Sequence, residues 1–332
     1  MQRLVNNRDG ETLEGLLTAI KGNQSCKDVY LGPYFYASLN EQSRSAFIQG
    51  LGQDLQQLRS LSIGTLEYTR ASISGAAIGR CISKAKNLHT LRVERDITLS
   101  STEEIDILVN GLRHHCSLQR LSLLSLNPTR TTAQSISLDD IVLSLSSIAQ
   151  LESLQLGVSP DCTAKLSVAP SAVASIARNC PKLSWLHMAN FPLEDEHMFA
   201  LFEAIGEDRN SLKVLDFPQS KRLTIKSWKA LWELVQINEA LESVNMCSPP
   251  WAKRAKELIY LFLALNRDGQ RLRLRQCEDP WEWTGIASRL TARNLDIIYT
   301  IMRENPLVCT ARSKPLIDTV TSKYIPDDKF WV

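Results

Sequence analysis

The stretch Leu58-Arg59-Ser60-Leu61-Ser62-Ile63 returns as Leu88-His89-Thr90-Leu91-Arg92-Val93, and again as Leu118-Gln119-Arg120-Leu121-Ser122-Leu123. Further copies run from Leu151 to Leu156, Leu183 to Met188, Leu212 to Phe217 and Leu241 to Met246, and a weaker one opens at Cys26. The copies start at residues 26, 58, 88, 118, 151, 183, 212 and 241, so they lie 32, 30, 30, 33, 32, 29 and 29 residues apart. Self-similarity at a fixed period marks a solenoid, in which each unit rests on its neighbours and the stack presents a binding surface.

Within each copy the fourth and sixth positions are apolar, as in Leu61 and Ile63. Alternation of period two predicts a strand with one buried face. About three to five residues qualify in each copy, so the strands are expected to be short. Helical patterns fill the intervals. Ser101-Thr102-Glu103-Glu104 has the spacing of a capping box and opens a run with Ile105, Ile107, Leu108 and Leu112 apolar. Ser137-Leu138-Asp139-Asp140 has the same form ahead of Ile141, Val142, Leu145 and Ile148. Two more helices are expected around Met198–Ile205 and Ile225–Val235. Asn23, Asn87, Asn179, Asn210 and Asn238 stand just before strand motifs, where a left-handed asparagine would end a helix. The unit therefore reads strand, loop, helix, turn. Parallel strands need a crossover of this length, and stacking such units gives a curved parallel sheet with helices outside.

The Leu-x-x-Leu-x-Leu segments between residues 26 and 246 resemble the leucine-rich-repeat superfamily, in its longer ribonuclease-inhibitor-like class. The resemblance implies an α/β horseshoe with the sheet on its concave face and helices on its convex face. The family usually sets Asn or Cys three residues after the last apolar strand position. Here that position holds Leu66, Asp96, Leu126, Ser159, Phe191, Ser220 and Pro249. That side-chain ladder is therefore not expected, and the loops should vary.

The expected organisation is a cap helix in residues 1–25, eight units over 26–250 and a helical C-terminal cap over 251–332. The N-terminal cap would use Leu13, Leu16, Leu17 and Ile20. Pro249-Pro250-Trp251 breaks the repeat pattern, and residues 252–266 then read as a helix, ended by Arg267-Asp268-Gly269. Trp281 and Trp283 follow, then a helical run from Leu295 to Met302. The segments Leu265 to Arg271 and Ile297 to Pro306 resemble the ending of repeat proteins from diatoms, which implies a shared cap and no known activity.

Composition narrows the function. The 332 residues are 44% hydrophobic and 22% charged with net charge +2, a globular balance and less basic than a general nucleic-acid binder. Apolar stretches are short and interrupted by charge, so no membrane span is read, and the first residues lack the apolar run of a secretory signal. A cytoplasmic or nuclear location is expected. None of the eight cysteines forms a Cys-x-x-Cys pair, so they read as buried free thiols, with Cys26 in a core slot of the first unit.

The outward strand positions fall into two columns. One holds Tyr30, Ser62, Arg92, Ser122, Gln155, His187, Asp216 and Asn245; the other holds Asp28, Ser60, Thr90, Arg120, Ser153, Trp185, Val214 and Ser243. Neighbours in a column are about 4.8 Å apart, which predicts a hydrogen-bonded His187–Asp216 pair with Asn245 next to it and Trp185 on the same face. A His-Asp pair belongs to catalytic triads, but Ser153 lies a strand further away in the other column, and no Gly-x-Ser-x-Gly occurs. No enzymatic activity and no cofactor are expected. Partner-binding residues are read as Trp185, His187, Asp216 and Asn245, with Arg92 and Arg120 as charge contacts; the plain alternative is a solvated sheet face carrying one aromatic. His114-His115-Cys116 reads as a helix end and not a metal site. The basic residues between Lys253 and Arg275 read as a solvated helix face, so nucleic acid is not the expected partner.

The expected function is a protein-binding scaffold that uses the concave face. Two alternatives follow from the superfamily resemblance. One is a substrate-recognition subunit of a ubiquitin ligase, although the 25 residues before the first unit leave no room there for an F-box module. The other is a regulator of a small GTPase, acting through Arg92 or Asn245.

Overall fold

The computed structural model describes residues 26–32, 41–64, 72–113, 115–128, 136–207, 211–220, 222–247 and 253–267. The expected N-terminal cap helix, Trp281, Trp283, the 295–302 helix, Cys277, Cys309, Asn23, Asn210, Leu66 and Pro249 lie outside the described residues.

Strand and helix alternate: β1 (Asp28–Leu31), α1 (Glu41–Asp54), β2 (Ser60–Ile63), β3 (Ile73–Ser74), α2 (Gly75–Lys84), β4 (Thr90–Leu99), α3 (Thr102–Arg113) and β5 (Arg120–Pro128). There follow β6 (Ile136–Ser137), α4 (Asp139–Ser146), β7 (Ser153–Val158), β8 (Leu166–Ser167), α5 (Pro170–Asn179) and β9 (Trp185–Ala189). The last elements are α6 (Asp195–Gly206), β10 (Val214–Phe217), α7 (Ile225–Ile237), β11 (Ser243–Met246) and α8 (Lys253–Arg267). One parallel sheet runs β1-β2-β4-β5-β7-β9-β10-β11, with β3 pairing β4, so each of the eight sequence copies supplies one strand. Each helix packs on the next in sequence. Helix axes need about 8–10 Å of spacing. Paired strands need only about 4.8 Å, so the sheet lines the concave side of the α/β solenoid.

The apolar pattern explains the register. Leu61, Leu91, Leu121, Leu154, Leu186, Leu215 and Val244 are buried and sit opposite one another across the sheet. A slip of one residue would turn the whole inner set to solvent, so burial pins the pairing. The core is a single apolar cluster that extends from Val29 to Ala264.

A backbone ladder reinforces the pairing at the strand starts. The Lys27 carbonyl accepts from the N–H groups of Arg59 and Ser60, and the Arg59 carbonyl from His89 and Thr90. The same two-donor bond recurs at His89, Gln119, Glu152, Ser184 and Lys213. It needs no particular side chain, which is why the sequence does not display it.

Four expectations need correction. The strands are not uniformly short, since β4 spans 10 residues and β5 spans 9. Both continue past a register shift, between Val93 and Asp96 and between Leu123 and Leu126: inward alternation runs unbroken through Arg95, Ile97 and Leu99 in β4 and returns at Leu126 in β5. Gly157 permits this irregularity: a Cβ there would overlap the Leu124 carbonyl oxygen.

The described asparagines of that set, Asn87, Asn179 and Asn238, do not end helices in the left-handed conformation. Among the described non-glycine residues only Asn190 and Gln219 have positive φ. Asn87 instead donates its amide to the Gln56 carbonyl at 2.8 Å, and Asn238 to Ile205 at 3.2 Å. Asn266 continues the series, donating to Asn238 at 3.0 Å and Leu241 at 2.8 Å. Their side chains tie one turn to the turn before it, so a partial ladder does exist, ahead of the strands and not after them.

Only one limb of the first capping box forms, and its carboxylate reaches further back. Ser101 Oγ accepts the Glu104 N–H at 3.2 Å, while the Glu104 carboxylate takes the Ser100 N–H at 2.6 Å and the Ser74 hydroxyl of the preceding unit at 2.5 Å. The second box does not form. Buried Leu138 occupies the N-cap of α4, and Ser137 belongs to β6, paired with β8. The Asp139 carboxylate bonds the Ala169 N–H at the start of α5, at 2.5 Å.

Cys26 is only half-buried, at the margin of the core. Cys81 and Cys180 are buried, whereas Cys116 and Cys247 are exposed.

Candidate functional site

The two outward columns form in the register read from the sequence. Gln155 lies opposite His187, His187 opposite Asp216 and Asp216 opposite Asn245; Arg120 lies opposite Ser153, Ser153 opposite Trp185 and Trp185 opposite Val214. The inner neighbours Leu186, Met188, Leu215, Phe217, Val244 and Met246 are buried in the core and hold the three strands rigid beneath the site.

His187 Nδ1 lies 2.7 Å from Asp216 Oδ2. An ionised carboxylate only accepts, so Nδ1 carries the proton. Asn245 Nδ2 donates to the other carboxylate oxygen, Oδ1, at 2.8 Å. Asp216 is thus held from both sides. The side chains of His187 and Asp216 retain 17% and 25% of their exposure, enough to meet a partner and little enough to stay in place. Further along the row, Ser122 Oγ donates to Gln155 Oε1 at 2.9 Å. Trp185, at 39% exposure, stands on the same face as His187, two residues earlier on β9.

The six expected residues are not one cluster. Trp185, His187, Asp216 and Asn245 come together. Arg120 is two strands from Trp185, with Ser153 between them. Arg92 is further off and forms an ion pair with Glu94, a partner the sequence reading did not name. Gln155 and Asp216 are the residues in register beside His187, so the column places no hydroxyl or thiol nucleophile there.

The other expected features resolve simply. His115 is buried where α3 gives way to β5, with Nε2 donating to the Ala85 carbonyl at 2.9 Å. His114 lies outside the described residues. Among the described residues no group of three or more His, Cys, Asp or Glu side chains could hold a metal ion. Of the C-terminal basic residues, Lys256 stands over the Tyr260 ring at 5.5 Å on α8, and residues 268–275 lie outside the described residues. No described helix is long and apolar enough to cross a membrane.

The fold and its face define the molecule as a parallel-sheet α/β solenoid with an open, mostly polar inner surface. No protein-family model matches the chain, and no curated protein matches it. Among solved structures it is similar to a chain in the crystal structure of the Rad7 and Elc1 complex in yeast, with 13% identity and a TM-score of 0.37. The match covers 71% of this chain and 63% of that chain.

Proposed function

We infer that the protein is a non-catalytic scaffold that binds another protein through its concave face, centred on β9, β10 and β11. The observation that carries this is Trp185. A large aromatic stands exposed in a column whose only other apolar member is its neighbour Val214, next to a row of side chains already ordered by mutual hydrogen bonds. Aromatic anchors ringed by polar groups dominate binding energy at protein interfaces. A rigid sheet loses little conformational entropy when a partner docks. The His187–Asp216 pair orients a contact surface.

Affinity capture from native lysate tests this, with wild type and a Trp185→Ala/His187→Ala variant compared by mass spectrometry. A protein enriched by wild type and lost from the variant supports the reading. A partner retained equally by both contradicts it.

A further inference from the structure

We propose that the β9–β11 face takes a basic side chain, arginine or lysine, from a segment of the partner that also sets an acidic side chain against Arg120. This rests on the concave-face reading and specifies its chemistry.

The hydrogen-bond directions carry the argument. His187 Nδ1 is committed as a donor to Asp216, so a neutral imidazole presents Nε2 as an acceptor. Asn245 commits its amide nitrogen to the same carboxylate, which leaves Oδ1 outward as an acceptor. Asp216 adds the negative charge and its remaining lone pairs. Three adjacent strands therefore offer acceptors in a row, with an indole ring beside them. A guanidinium or ammonium group satisfies both features, through charge-assisted hydrogen bonds and contact with the ring face.

Among the described residues two nearby cations are engaged elsewhere. Lys213 Nζ is engaged by Glu242 at 2.8 Å, and Arg92 by Glu94. Arg120 is exposed and has no ion pair among the described residues. It stands two strands, or about 10 Å, from Trp185 across the small Ser153. Gln155 spends its carbonyl oxygen on Ser122, which leaves its amide nitrogen as a donor. The face is thus donor-rich on β5 and β7 and acceptor-rich on β9 to β11. A partner segment crossing it meets a cation first, then the aromatic and the acceptors. Charge complementarity selects an acid followed by a base.

A random peptide library displayed on phage is selected at pH 8 against wild type, Asp216→Asn, Trp185→Ala and Arg120→Glu. Wild type should enrich peptides with a fixed basic residue and an acidic residue at a set spacing. Affinity for them should fall about tenfold or more in Asp216→Asn and Trp185→Ala. Arg120→Glu should change the preferred acidic residue to a basic one. Peptides that need Trp185 but lack a fixed base overturn this inference and leave the concave-face reading intact. Binders indifferent to all three substitutions, or no binders, overturn both.

Discussion

Asp195, in the first turn of α6, holds Thr224, the N-cap of α7 in the following unit: Oδ1 accepts the Thr224 N–H at 2.9 Å and Oδ2 accepts its hydroxyl at 2.5 Å. Ser227 donates to Oδ1 as well, at 2.5 Å. One carboxylate near the start of one helix therefore fixes the start of the next. Asp139, binding Ala169, reaches forward in the same way, while Glu104 reaches back to Ser74, the N-cap of α2 in the preceding unit. Asp195→Ala should cost about 2 kcal/mol in urea unfolding, since it leaves the buried Ser227 hydroxyl without its acceptor and releases the Thr224 N-cap from the preceding unit. An unchanged midpoint would show that the link is not structural.

The same carboxylates set an acid limit. Burial alone would raise the Asp195 pKa, but the bonds from Ser227 and Thr224 outweigh it and hold the group below its ordinary 3.8. Burial likewise opposes, and bonds from Ser100 and Ser74 overcome, so that Glu104 lies below its ordinary 4.5. A depressed folded pKa gives stability that is complete above the unfolded value and lost as pH falls through the folded one. Stability should therefore drop below about pH 4.5, and Asp195→Asn should flatten the part of that limb below about pH 3.8. Denaturant midpoints measured from pH 5 downward would show it.

His115 adds a second limb at milder pH. Burial pushes its imidazole below the ordinary 6.5, the Ala85 bond partly offsets this, and nearby His89 deepens the depression. Nε2 serves Ala85, so protonation would place a charge on Nδ1, which is buried with no partner. Its contribution is complete above about pH 6.5 and lost as pH falls from there. His115→Gln should lose less stability than wild type between pH 7 and 5. Equal losses would contradict the account.

Helix contacts yield a prediction of opposite sign to the usual one. A Cβ on Gly79 would overlap the Ile107 carbonyl oxygen of α3, and a Cβ on Gly111 the Gly79 carbonyl oxygen of α2. Alanine in a helix normally gains up to about 1 kcal/mol over glycine. Here the clash is with backbone, so Gly79→Ala and Gly111→Ala should destabilise by about 1–3 kcal/mol. Gly206→Ala is the control, because its Cβ would meet only side-chain carbons of Ile237 at 3.8 Å and Leu234 at 3.9 Å. Thermal melts should fall for the first two and hold or rise for the third.

Thiol reactivity should divide by burial. Burial pushes Cys81 and Cys180 up to about 12, whereas Cys116 and Cys247 are exposed. The thiolate is the reactive form. Iodoacetamide at pH 8 should label Cys116 and Cys247 in the folded protein and reach Cys81 and Cys180 only after denaturation. Labelling of Cys180 in the native state would mean that the core opens where the ends of α4 and α5 pack together.

The register of the sheet was legible because Leu61, Leu91, Leu121 and their counterparts recur at one phase, and only one pairing buries them all. The His187–Asp216 contact followed from that register alone. The helix ends were misread, because Asn87 and Asn238 have two uses at a turn, and packing against the preceding unit outcompetes left-handed backbone. The close approach at Gly79 and Gly111 carries a signal, two glycines 32 residues apart in successive units, but only contact geometry gives it meaning. Arg95 was also missed. It occupies an inward position of β4, buried and donating to the Gly64 carbonyl at 3.4 Å, where alternation would place an apolar residue.

The central claim is that the concave sheet face is the binding surface, and site-directed photo-crosslinking tests it most directly. A benzophenone amino acid is placed at Ser153, between Arg120 and Trp185, and separately at the exposed convex residues Leu143 and Phe199. Irradiation in native lysate should give a discrete protein adduct from position 153, suppressed by Trp185→Ala, and none from 143 or 199. An adduct from 143 or 199 alone, with position 153 silent, would place the partner on the helices and contradict the account.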